Sequence, residues 1–215
     1  GYGIRATPKH TLIVSSSHQA FRIIGSCIID HDDYVAIESP SDPIVMGTFE
    51  NLDARCVPVE IDADGVVIER ARATIERYKP KAFVTCSSGQ IPTGVTTSAT
   101  RREQLYQLCK QAKCLLIEYD NGNEVWYEAP PPRPIMSMDD NGTVVYVREF
   151  GRESAAGIRI SCVQANGPIF ARLIENKRRD DLLTSTIGQY EMLEYLRSGD
   201  YAKNLPRLRE FYRER

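Results

Sequence analysis

Short apolar runs alternate with segments whose apolar residues recur at helical spacing, and this alternation predicts most of the chain. Tyr34 to Glu38, Cys56 to Ile61, Ala82 to Cys86, Cys114 to Glu118, Val144 to Val147 and Ile158 to Val163 read as strands. His18 to Ile29, Pro43 to Asn51, Val67 to Tyr78, Ser98 to Gln111, Pro168 to Asp181, Thr184 to Leu196 and Ala202 to Arg215 read as helices. The Ser15-Ser16-Ser17 cluster supplies a cap for the first helix, and Pro43 opens the second. Together these elements predict an α/β fold of three layers, a mostly parallel sheet flanked by helices. Glu128 to Pro134 carries three consecutive prolines and reads as a surface loop, because strands continue beyond it. Ligands of such sheets sit beyond the carboxyl ends of the strands. The segments to inspect are therefore Ser15 to His18, Ser39 to Pro43, Ser87 to Gly94, Tyr119 to Glu124 and Arg148 to Arg152.

Composition narrows the function classes more than it names one. Among 215 residues, 27 basic side chains meet 29 acidic ones, so bulk charge gives no reason to expect nucleic-acid or anionic-membrane binding. No apolar run approaches the roughly 18–20 residues of a membrane span. Gly1 to Arg5 has no apolar signal core. A cytoplasmic protein with no membrane partner is expected. The missing initiator Met reads as processing, a tag remnant or a subcloned piece. Cysteines 27, 56, 86, 109, 114 and 162 form no C-x-x-C pair and lie mostly in apolar runs, which predicts free buried thiols. His10, His18 and His31 are isolated, so neither a metal site nor a Ser-His-Asp triad is expected.

Four strand-end motifs carry a resemblance. Gly3-Ile4-Arg5-Ala6-Thr7-Pro8, Ser15-Ser16-Ser17-His18-Gln19-Ala20, Gln90-Ile91-Pro92-Thr93-Gly94 and Gly157-Ile158-Arg159-Ile160 occur in order over nearly the whole chain. They resemble the large domain of fold-type-I pyridoxal-phosphate (PLP) enzymes, and most closely the aminotransferase-like domain of MocR-type (GntR superfamily) transcription regulators. The resemblance implies a PLP-dependent transferase-like large domain over residues 1–200. Residues 201–215 would begin the connection to a small C-terminal domain, and DNA would be reached only through a domain absent from this chain.

Placed by that resemblance, Ser16, Ser17, His18 and Arg159 fall in the phosphate-binding region. The remaining cofactor roles fall on residues unsuited to them. Arg152, within Glu149-Phe150-Gly151-Arg152, stands where the Schiff-base lysine is expected, and a guanidinium stays protonated. No lysine lies between Lys113 and Lys177. Tyr119 takes the place of the aspartate that pairs the pyridine nitrogen, and Asn121 that of the tyrosine reaching the ring oxygen. Asp120, one residue on, should point to the opposite side of the strand. Asp42 replaces the stacking aromatic ring, and Glu149 and Gly151 replace small hydroxyl residues facing the phosphate.

The expectation is a degenerate pocket with no catalytic residue and no PLP, serving as the effector-binding and dimerisation core of a regulator. A small anionic metabolite would sit among Ser16, Ser17, Asp120, Arg152 and Arg159, in a homodimer. Two alternatives stand beside it: a PLP-dependent aminotransferase using Lys81, Lys110, Lys113, Lys177 or Lys203, and a structural domain without a ligand.

Overall fold

A computed structural model describes residues 3–122, 124–127, 129–151 and 157–214. Arg152 therefore lies outside the described residues. Eight strands form one sheet: β1 (Thr11–Val14), β2 (Tyr34–Ser39), β3 (Arg55–Asp62), β4 (Gly65–Val66), β5 (Ala82–Thr85), β6 (Leu115–Asn121), β7 (Val144–Glu149) and β8 (Ser161–Ala165). Their order is β1-β8-β7-β6-β5-β2-β3-β4. The central strands from β3 to β7 pair in parallel, while β4, β8 and β1 add antiparallel edges. The predicted mostly parallel α/β sheet is what forms.

Helices cover both faces because the central strands are apolar on both. One layer contains α1 (Ser17–Ile28), α2 (Pro43–Glu50) and α5 (Ile169–Asp180), packed on Val14, Ile37, Val84, Ile117, Val147 and Val163. The other contains α3 (Ile68–Tyr78) and α4 (Ala99–Ala112), packed on Ala36, Phe83, Leu116, Val144 and Tyr146. Strict alternation therefore sends Tyr119 and Glu149 to the α1 face and Glu118 and Asp120 to the α4 face. The last two helices, α6 (Thr186–Arg197) and α7 (Asp200–Arg213), meet in a smaller cluster of Met192, Tyr201 and Leu205 with Phe150 and Ile158.

Boundaries shift where pairing overrides local pattern. Ile158 to Ile160 precede β8, which starts at Ser161 because β1 and β7 end opposite it, at Val14 and Glu149. The final helix starts at Asp200, two residues before the expected Ala202. It packs back on the domain: Arg209 Nε donates to the Glu124 carbonyl at 2.8 Å, and its guanidinium lies 4.0 Å from the centre of the Trp126 ring. No helix among the described residues is long and apolar enough to cross a membrane.

Candidate functional site

At the carboxyl end of the sheet, three elements bring Ser17, Tyr119 and Glu149 into contact. Ser16 caps α1, its hydroxyl accepting the Gln19 N–H at 3.1 Å, and this places Ser17 on the first turn facing the sheet. Glu149 ends β7 and Tyr119 lies on β6, both on the face that α1 covers. Ser17 Oγ donates to Glu149 Oε2, as does the Tyr119 hydroxyl at 3.1 Å, and the two hydroxyls are 3.3 Å apart. Phe21 of α1 meets the Tyr119 ring edge-on, with centroids 5.2 Å apart. Burial, followed by the nearby Glu149 charge, pushes the Tyr119 phenol well above its ordinary value, so it stays a hydrogen-bond donor. Arg159 Nη1 lies 3.9 Å from Glu149 Oε1, but its side chain is 65 % exposed.

Beside this cluster, Glu38, Asp42, Val84, Cys86, Gln90, Ile91 and Tyr119 enclose a space of only about 10 Å³. The polar wall residues Asp42, Gln90 and Glu38 are committed to their neighbours. Asp42 caps α2 by accepting the Ile44 N–H at 2.8 Å. Gln90 donates to the Pro40 carbonyl at 2.7 Å and accepts from the Thr93 hydroxyl at 2.6 Å. The buried Glu38 accepts from Thr85 Oγ1 and from the Cys86 N–H. Desolvation raises its pKa, and those hydrogen bonds partly offset the rise.

Asp120 does not join this group. It is 1 % exposed on the α4 face, where it accepts from the Tyr146 hydroxyl and from Arg148 Nη1 at 2.9 Å. Arg148 Nη2 reaches the Tyr201 hydroxyl of α7 at 3.1 Å. Asn121 sits half-buried at the end of β6, opposite Glu149 in register, and His18 is exposed on α1. The structure thus gathers Ser17, Tyr119 and Arg159 around Glu149, with Ser16 capping α1 next to Ser17 and Asp42 on the wall of the adjoining space.

Glu149 is the member that sequence reasoning left out of the site. It was legible only as an acid at a place that favours hydroxyls, since its contacts depend on how α1 approaches the sheet. None of Lys81, Lys110, Lys113, Lys177 and Lys203 bonds to this cluster. Lys81, Lys110, Lys177 and Lys203 pair with Asp33, Asp140, Asp181 and Asp200, and Lys113 ends α4. Among the described residues no three His, Cys, Asp or Glu side chains gather as metal ligands.

No family model matches the chain. The Pyrococcus horikoshii kynurenine aminotransferase, solved in complex with PMP, superposes with a TM-score of 0.93 over 99% of this chain and 54% of its own, at 27% identity. The chain has the large-domain fold of the fold-type-I aminotransferases. Two curated relatives extend the likeness from fold to sequence. The HTH-type transcriptional regulator YisV of Bacillus subtilis is 28% identical over 215 residues, all of this chain and 44% of the regulator. Aromatic-amino-acid aminotransferase 1 of Thermococcus litoralis is 29% identical over 220 residues, again all of this chain and 52% of the enzyme. This aminotransferase-like domain therefore spans about half the length of the curated relatives it matches, and those relatives include both regulators and enzymes.

Proposed function

We propose that this aminotransferase-like domain is the effector-binding and dimerisation core of a MocR-like transcription regulator, and that its pocket carries neither PLP nor Schiff-base chemistry. The observation that carries the second half of this reading, a pocket without PLP, is the space bounded by Tyr119, Asp42 and Gln90. At about 10 Å³ it has room for one water at most, whereas small-molecule pockets run to roughly 300–1,000 Å³. The residues do not fit the cofactor. The Tyr119 phenol offers no negative charge to a pyridinium, Asp42 offers no ring to stack on it, and the Glu149 carboxylate would repel a phosphate beside Ser17. No lysine of the described chain bonds to the site, and none lies between Lys113 and Lys177.

The effector in this reading is a small anionic metabolite held near Ser16, Ser17 and Arg159, and DNA is contacted only by a domain outside this chain. Dimerisation is supported by an exposed apolar run on and before α6: Leu182, Leu183, Ile187 and Tyr190. Leu183→Asp with Tyr190→Asp should turn a dimer into a monomer by light scattering, and an unchanged mass would remove this face from the proposal. The closed space and the Arg159–Glu149 contact also suit a purely structural domain. A thermal-shift screen of carboxylate and phosphate metabolites separates the two: a saturable rise in Tm supports the effector role, and none across the screen supports the structural one. A visible aldimine band on PLP titration would refute the non-catalytic reading itself.

A further inference from the structure

A carboxylate of the chain itself, Glu149, lies beside the N-terminus of α1, bonded to the Ser17 hydroxyl of its first turn. Ser16 serves two of the first helical N–H groups: its hydroxyl takes that of Gln19 and its carbonyl that of Ala20, each at 3.1 Å. The N–H groups of Ser17 and His18 have no acceptor within the helix, and the helix dipole adds to their attraction for negative charge. Beside them, Glu149 takes hydrogen bonds from Ser17 and Tyr119, with Arg159 Nη1 3.9 Å from its other oxygen.

A second observation points the same way. Ser161 is opposite both Val14 and Glu149 in register, which puts it on the α1 face, and it is fully buried. Its hydroxyl has no hydrogen-bond partner. A buried hydroxyl is costly to leave unpaired. Here it sits in a cluster of donors where a carboxylate brings two oxygens and a phosphate group brings more.

We infer that Glu149 is the resident anion of this site and its specificity determinant, excluding soluble phosphate groups by direct competition. The inference deepens, and rests on, the reading that the pocket has left PLP chemistry. A tethered carboxylate competes at an effective concentration on the order of millimolar or more and its charge weakens the binding of another anion, so an anionic effector of the proposed kind gains this site only by displacing Glu149. Glu149→Gln keeps the shape and an acceptor oxygen while removing the charge.

Inorganic phosphate, titrated into the ¹⁵N-labelled chain at ionic strength matched with chloride, tests this. Glu149→Gln should bind phosphate at least about tenfold more tightly than the unmodified chain. The Ser17 and His18 amide signals should move, and adding Arg159→Ala should erase most of the gain. Equal affinity in the two proteins, including no binding by either, would overturn the inference. So would shifts that spare Ser17 and His18. Should Glu149→Gln fail to fold, Glu149→Thr, which supplies a hydroxyl instead, carries the same comparison. PLP titration of the unmodified chain judges the non-catalytic reading separately.

Discussion

Removing the Asp120 carboxylate should destabilise the domain strongly while leaving the Ser17–Tyr119–Glu149 cluster in place. In Asp120→Ala, the 7 % exposed Arg148 guanidinium loses its 2.9 Å carboxylate, and the buried Tyr146 hydroxyl loses its acceptor. Breaking one partner of a buried ion pair costs about 3–5 kcal/mol. Part of that is recovered here, because Glu124 is 3.8 Å from Arg148 and the Phe150 ring centre lies 4.9 Å from its guanidinium. The expected loss is therefore about 3 kcal/mol, near the lower end of that range. For a chain of this length, that lowers Tm by about 6–12 °C. Urea denaturation followed by circular dichroism measures it directly. Asp120→Ala/Arg148→Met, which removes both charges, should be more stable than Asp120→Ala alone. A loss below about 0.5 kcal/mol, the size of an ordinary surface substitution, would refute the assignment of Asp120 to a buried structural pair.

Two further predictions concern Arg102 and the cysteines. Arg102 is 1 % exposed and donates to the carbonyls of Thr97, Ser87, Pro132 and Arg133 and to the Ser88 hydroxyl. Arg102→Lys cannot reproduce that fork, so it should lower the urea midpoint by several tenths molar or more, corresponding to at least about 2 kcal/mol; an unchanged midpoint would contradict it. Burial pushes the Cys56 and Cys162 thiols up to about 11, Cys56 with help from the Glu50 charge. At pH 8 the thiolate fraction is then about 0.1 %, roughly two hundredfold below a free cysteine. Iodoacetamide labelling read by mass spectrometry should be slow at pH 8 and rise about tenfold per pH unit up to pH 10; rapid labelling of either at pH 8 in the folded protein would contradict this.

How far the chain could be read in advance depends on whether a feature is local or tertiary. The strand–helix alternation, the serine cap of α1 and the opening of α2 by Pro43 are written in period and residue type, and the fold follows from them. The direction of Asp120 was also legible, because alternation along β6 sends it to the face opposite Tyr119. The start of β8 was not, since Ile158-Arg159-Ile160 has a strand's composition and only the ends of β1 and β7 exclude it from the ladder. The two-residue β4 carries too few positions for any period. Glu149 is the instructive case. Its misfit with a phosphate was visible from residue type alone, but its bonds to Ser17 and Tyr119 join positions 132 and 30 residues away. That contact exists only once β6, β7 and α1 are assembled.

The central claim is that this aminotransferase-like scaffold no longer forms a Schiff base at its old site. The most direct measurement is borohydride reduction of the full chain after equilibration with excess PLP, followed by peptide mass mapping. The account predicts no site-specific phosphopyridoxyl adduct, with at most the scattered, non-saturating labelling of exposed lysines. A saturating adduct on one lysine, with a matching absorbance band before reduction, would contradict it and return the domain to the enzymes.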